Sequence, residues 1–308
     1  MSKEHHHTHQ ANKRILLIAF IIITIYMIIE VVGGILTNSL ALLSDAGHML
    51  SDSFSLGIAL LAFILSAKRS GHKKTFGNKR FEILSAVING LALLGIAGFI
   101  FYEAAERFTN PPDVATSGML IISTFGLLVN ILVAWIMNRG ADTKGNLNIR
   151  GAFLHVISDM VGSIGAISAA LLMMFLGWKW ADPLASIFVG LLALRSGFLV
   201  TKESLHILME GTPKDVDVEK VIKTIQNQDN IKSLHDLHIW TITSGLNALS
   251  CHVIIDDNIN LSKCVEILKK LEHKLEHLGI RHVTIQIETE DNDHPDTIFC
   301  NGEKHYDK

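Results

Sequence analysis

Two stretches of this 308-residue chain place histidine and aspartate at one spacing: His48-Met49-Leu50-Ser51-Asp52 and His155-Val156-Ile157-Ser158-Asp159. On a helix, positions i and i+4 share a face, so each stretch sets an imidazole beside a carboxylate. Both lie in long apolar runs, where an ionisable side chain belongs to a bundle interior or a wet cavity. Facing each other, His48, Asp52, His155 and Asp159 would form an N2O2 set suited to a tetrahedral divalent ion, zinc first. Two carboxylates also cancel the 2+ charge, which makes burial of the ion tolerable. The competing reading is a pair of hydrogen-bonded polar spots tying helices together; repetition at identical spacing favours the metal. A Ser-His-Asp nucleophile is disfavoured, because neither serine stands on a strand-turn-helix elbow. No His-Glu-x-x-His is present, which argues against a zinc protease, and no enzyme activity is expected.

The elements that must position these residues follow from composition. The chain is 49% hydrophobic and 19% charged, against about a quarter charged in ordinary soluble domains. The long apolar runs fall between residue 15 and about residue 200, and the remainder reads as soluble protein. A single globular domain, a disordered chain and a disulfide scaffold are excluded. A helix crossing roughly 30 Å of hydrocarbon takes roughly 20 apolar residues. Six segments qualify: Ile15–Leu36, Leu40–Ala67, Ile83–Tyr102, Val114–Asn138, Ile149–Trp178 and Pro183–Thr201. Basic residues crowd the second connection (Lys68, Arg69, Lys73, Lys74, Lys79, Arg80) and the fourth (Arg139, Lys144, Arg150). The first connection has none, the third only Arg107 and the fifth only Lys179. By the positive-inside rule both termini face the cytoplasm, as an even number of crossings requires. The expected layout is a His-rich tail over 1–13, a membrane domain over 14–208, a cytoplasmic domain over 209–290 and a tail over 291–308, in a multi-pass protein of the cell membrane. A net charge of −3 gives no field to recruit nucleic acid. Three cysteines, all after residue 250, fit a reducing compartment.

Other polar residues in the apolar runs carry weaker signals. Asp45, one turn before His48, is a partner that orients the imidazole, part of an entry path, or a polar helix end. Glu30, Asn89 and Asn130 are expected to make hydrogen bonds between helices. Arg195 can snorkel to the cytoplasmic interface. The N-terminal His5-His6-His7-Thr8-His9 reads equally as a weak metal trap or a flexible polar start.

Past Met209-Glu210-Gly211-Thr212-Pro213 the period changes. The pattern predicts a helix over Val216–Asn227, strands over Leu234–Thr243 and Leu246–Asp256 around Thr243-Ser244-Gly245, a helix over Leu261–Leu278 and a strand over His282–Thr289. This αββαβ order is an α+β sandwich. Strict alternation turns Leu237, Ile239, Leu249, Cys251, Val253 and Ile255 to the core. It gathers His238, His252 and Glu288, with His282, on the uncovered face, which reads as a regulatory metal site ahead of a solvated polar face. His235 has the wrong parity for that face unless the strand begins after it.

With these residues in view, the chain resembles the zinc-type cation diffusion facilitators over about residues 10–290. The resemblance rests on the two His/Asp pairs and on Ser44-Asp45-Ala46-Gly47-His48, Phe76-Gly77, Ala181-Asp182-Pro183, Met209-Glu210-Gly211-Thr212-Pro213 and His235-Asp236-Leu237-His238-Ile239-Trp240. It implies a homodimer that exports Zn²⁺, or Cd²⁺ and Co²⁺, from the cytoplasm in exchange for protons, with the two pairs as transport site. It also implies a ferredoxin-like, metallochaperone-like cytoplasmic domain that dimerises and binds metal at His238, His252 and Glu288. Retention of His48 goes with zinc and cadmium. Two departures stand out: Asn138–Asn148 is short and has no histidine, and where relatives carry Cys-x-x-Cys this chain has Thr297 before Cys300. The expected mechanism is alternating access by rocking of the segments that carry the site, with Arg80 or Lys79 pairing with Glu210 at a hinge. The basic loop serves equally to attract anionic membrane lipid, and its His72 is a candidate interfacial ligand. A membrane-bound metal sensor, or a passive channel, is the alternative function.

Overall fold

The computed structural model describes residues 2–66, 74–140, 147–256, 259–289 and 297–299. Within these, the side chains of 2–16, Ala19, Asp52, 55–66, 139–140, 147–152, Leu154 and His155 are not described. Six long helices come first: α1 (Ser2–Thr37), α2 (Leu40–Ser66), α3 (Arg80–Thr109), α4 (Thr116–Gly140), α5 (Leu147–Leu176) and α6 (Ala181–Leu208). Among the described residues, α1, α3, α4, α5 and α6 contain stretches long and apolar enough to cross a membrane. The six segments read from the sequence all become helices; α3 and α6 run seven residues past the expected ends, Tyr102 and Thr201, and α1 extends back through the His-rich start. The chain divides into two compact units, one of residues 1–61 and 85–201, the other of 62–84 and 202–308.

In the first unit the helices pack through small residues and a few large ones. Met119 of α4 sits among Ala166, Ala169, Ala170 and Met173 of α5, together with Ala41 and Leu42 of α2. Nearer the other end of the same antiparallel pair, Val133 and Met137 of α4 meet Val156 of α5. Many large apolar side chains face outward, among them Leu36, Tyr102, Ile121 and Phe175. Lipid is the solvent that accommodates such a surface.

The start of α2 is built around one carboxylate. Asp182, fully buried in the first turn of α6, accepts from Ser39 Oγ at 2.7 Å, Leu40 N at 2.9 Å and Ala41 N at 3.1 Å. Ser39 in turn accepts from Leu42 N at 3.3 Å. The N–H groups left over at a helix start are therefore satisfied by an N-cap serine and a foreign carboxylate. Arg107 of α3 joins the group: it donates to Asp182 at 3.4 Å, to the Asn38 carbonyl at 2.7 Å and to Glu103 at 2.9 Å. The sequence reading quoted Asp182 as part of a motif but gave it no role.

The second unit carries α7 (Val218–Gln226), β1 (Ile231–Thr243), β2 (Leu246–Ile255), α8 (Leu261–His277) and β3 (Ile280–Glu288), the expected αββαβ order. β1 pairs antiparallel with β2, and β2 parallel with β3. The parallel pairing requires the α8 crossover. Asp217 caps α7 and Asn260 caps α8, each accepting from the backbone N–H three residues on. Val221, Ile225, Leu271 and Leu275 of the helices pack on Leu237, Leu249, Cys251 and Val253 of the sheet. Ile298 joins this core, and its carbonyl accepts from Leu237 N at 2.8 Å.

Candidate metal centres

Position 48 lies in α2 and position 159 in α5, each in its helix's interior. His48 is half-buried and Asp159 is 1% exposed. Asp52 and His155 occupy described backbone one turn away, but their side chains lie outside the described residues. The backbone registers the two helices. Ala41 and Leu42 pack against Ala169 and Ala170, and a Cβ on Gly162 would come 2.6 Å from Asp45 Oδ1. One turn further along antiparallel helices, position 48 reaches the level of position 159, and position 52 that of position 155. Glycine at 162 is what lets the Asp45 carboxylate lie flat on α5.

Neighbouring polar residues divide. Tyr26 donates to Glu30 Oε1 at 3.0 Å and lies 3.3 Å from the Ile122 carbonyl. Asn89 accepts from Ser51 at 2.9 Å. Asn89 thereby ties α3 to α2, as expected, and Glu30, besides its bond to Tyr26 within α1, interacts with Asp45 of α2. Asn130 departs from the expectation. It is fully buried, and among the described residues neither its Oδ1 nor its Nδ2 has a hydrogen-bond partner.

On the sheet, ligand atoms of His235, His252 and Glu288 lie within 4.8 Å of one another. His252 Nδ1 is 2.9 Å from Glu288 Oε1 and His235 Nε2 is 3.1 Å from Glu288 Oε2. The two rings meet edge to face at 5.2 Å. Each imidazole takes one carboxylate oxygen, and all three donors aim at a common space. That space suits a borderline divalent ion with open positions left for water or a fourth donor.

Membership of this set corrects the parity argument. His235 pairs with His252, but the next register pair is His238 with Ser250, so β1 spends one residue more than β2 between them. Asp236, at φ +50°, absorbs the extra residue, as a β-bulge does. Leu234 and Leu237 both face the core, and His235 and His238 consequently share the other face. His238 has a half-exposed side chain bonded to Asp236 at 3.1 Å and stands outside the three-residue set. His282 is exposed and stacks edge-on against Phe76 at 5.3 Å. Cys300 lies outside the described residues. A bulge leaves no mark in the hydrophobic pattern except the Leu234–Leu237 spacing of three, which breaks a two-residue period.

Arg80 Nη2 meets Glu210 Oε1 at 2.9 Å with both side chains exposed; Lys79 has no ion pair among the described residues. Glu82, two residues on, accepts from Thr243 at 2.6 Å and Ser244 at 2.9 Å. An exposed pair of this kind contributes about 0–1 kcal/mol.

Comparison with known proteins decides the family. The model described as "Cation efflux transmembrane domain" matches residues 16–209, and that of "Cation efflux protein, cytoplasmic domain" matches 213–290. The chain belongs to the cation efflux, or cation diffusion facilitator, family. It is 66% identical to the "Cadmium, cobalt and zinc/H(+)-K(+) antiporter" of Bacillus subtilis, over 96% of this chain and 95% of that one. It is 42% identical to the metal cation efflux system protein CzcD of Cupriavidus metallidurans, over 94% and 90%. It is 40% identical to the zinc transporter ZitB of Pectobacterium atrosepticum, over 96% and 92%.

Proposed function

We propose that this family member exports Zn²⁺ from the cytoplasm by proton-coupled antiport, through His48, Asp52, His155 and Asp159, as an alternating-access homodimer. Divalent-metal efflux by antiport is the activity of the family at these identities, with relatives named for cadmium, cobalt and zinc against H⁺ and K⁺. The observation that carries the residue assignment is the register of α2 on α5, where Asp45 lies over Gly162 and levels the two His/Asp pairs. Ligation takes neutral imidazoles and ionised carboxylates, so loading the site expels protons and reprotonation from the far side releases the ion. Histidine, which titrates near neutral pH, suits that exchange.

In this reading α2 is a sixth crossing, both termini lie in the cytoplasm of a plasma-membrane protein, and the domains follow 14–208 and 209–290. The cytoplasmic unit is ferredoxin-like and takes a regulatory metal at His235, His252 and Glu288, while Arg80 and Glu210 hold the hinge. Zn²⁺-for-H⁺ exchange in proteoliposomes is the test. Asp159→Ala should abolish exchange in a protein that still folds; unchanged flux refutes the assignment. Metal binding without flux in the unmodified protein would favour a sensor, and flux indifferent to a pH gradient a channel.

A further inference from the structure

Asn130 is a group in the membrane unit that the proposed mechanism leaves unexplained: among the described residues, neither polar atom of its buried carboxamide has a hydrogen-bond partner. A buried carboxamide with neither atom paired is expensive, because water has been given up and nothing replaces it. Its place along the bundle is fixed by the packing of α4 on α5. Buried positions Met119, Ser123, Asn130, Val133 and Met137 form one stripe down α4. Met119 packs among Ala166 to Met173, and Val133 packs on Val156. The helices are antiparallel, so one turn back from Val133 on α4 corresponds to one turn on from Val156 on α5. Asn130 therefore stands at the level of Asp159. Val129, beside it, packs against Tyr26, Met27 and Met49, which sets the same level against α1 and against the α2 turn that carries His48.

We propose that Asn130 is a further donor of the transport site, its Oδ1 supplying a neutral oxygen from α4 to the divalent cation. The inference rests on the transport-site reading above and adds a donor to it. Zinc is satisfied by four ligands; a fifth, oxygen donor serves ions whose preferred coordination is larger, and coordination geometry discriminates between metals. An uncharged amide adds this donor without adding to the negative charge of the two aspartates. The orphaned amide is then a group held ready for cargo.

Co²⁺ reads the coordination directly, because tetrahedral Co²⁺ absorbs strongly in the visible and five- or six-coordinate Co²⁺ weakly. The full-length protein in detergent, carrying His252→Ala and Glu288→Ala to silence the sheet cluster, would be titrated with Co²⁺ and with Zn²⁺. Asn130→Leu should intensify the visible bands and weaken Co²⁺ binding about tenfold, the lower end of what changes around a metal site produce. Asn130→Asp, which keeps an oxygen in place, should retain the weak bands and bind at least as tightly as the parent. It also keeps the test decisive where the leucine variant fails to fold. Unchanged spectra and affinities in Asn130→Leu, or tetrahedral bands in Asn130→Asp, overturn the proposal. Asp159→Asn in the same background separates the two readings: if it leaves Co²⁺ binding intact, the transport-site assignment itself fails.

Discussion

Replacing Asp182 tests whether the start of α2 is held by hydrogen bonding or by charge. Three contacts of 2.7–3.1 Å go to the cap of α2 and one of 3.4 Å goes to Arg107. Arg107 keeps Glu103 and the Asn38 carbonyl when Asp182 is lost, so the guanidinium is not stranded. Alanine at 182 strands the Leu40 and Ala41 N–H groups, at about 1–3 kcal/mol for each buried unsatisfied donor. It also weakens the cap, for which about 1 kcal/mol is typical. The expected loss is about 3–7 kcal/mol. Asparagine keeps one acceptor oxygen and loses the charge, so Asp182→Asn should give up about half as much. Unfolding by SDS in mixed micelles, followed by far-UV circular dichroism, measures both. Equal losses in the two variants would mean that charge alone matters and would refute the capping account, as would a loss below about 1 kcal/mol in Asp182→Ala.

Further outcomes are expected elsewhere. In a full-length Asp159→Ala background, Glu288→Gln should weaken Zn²⁺ binding by tenfold or more and His235→Ala comparably, whereas His238→Ala should change it little; isothermal titration distinguishes the bulged set from the alternating one. Burial pushes the Cys251 thiol up to about 12 from an ordinary 9.0. At pH 8 its thiolate is then roughly one part in ten thousand, and since only the thiolate reacts, iodoacetamide should spare Cys251 in the folded protein and label it after denaturation, as read by mass spectrometry. Because the folded value lies above the unfolded one, this thiol's contribution to stability is full below about pH 9 and fades as pH rises toward 12. Gly126→Ala would drive a methyl group into the Tyr26 hydroxyl, whereas Gly165 has nothing within 4 Å. The first substitution should lower thermal stability, and Gly165→Ala should be neutral or raise it slightly.

Much of the architecture was legible because it obeys simple periods. Apolar runs of membrane length became helices, and the two-residue and 3.6-residue rhythms after Pro213 became the αββαβ order. The His/Asp pairs stood out because ionisable groups are rare in such runs. What escaped notice was non-local. Nothing in the sequence around Asp182 announces that its carboxylate caps a helix more than 140 residues earlier. Asn130 resembles any polar residue that ties helices together, and only the structure reveals that it bonds to none of the described residues. His235 was assigned the wrong face because alternation assumes one residue per rung, and the left-handed Asp236 adds another.

That added residue means that the metal set on the sheet is encoded by the backbone conformation at position 236 as well as by side-chain identity. Were residue 236 held in extended backbone, alternation back from Leu237 would turn the His235 imidazole to the greasy side of the sheet, whereas deleting Asp236 altogether would leave His235 and His238 on one face. A substitution at 236 that resists a left-handed backbone, such as a β-branched residue, would therefore dismantle the set without touching a ligand.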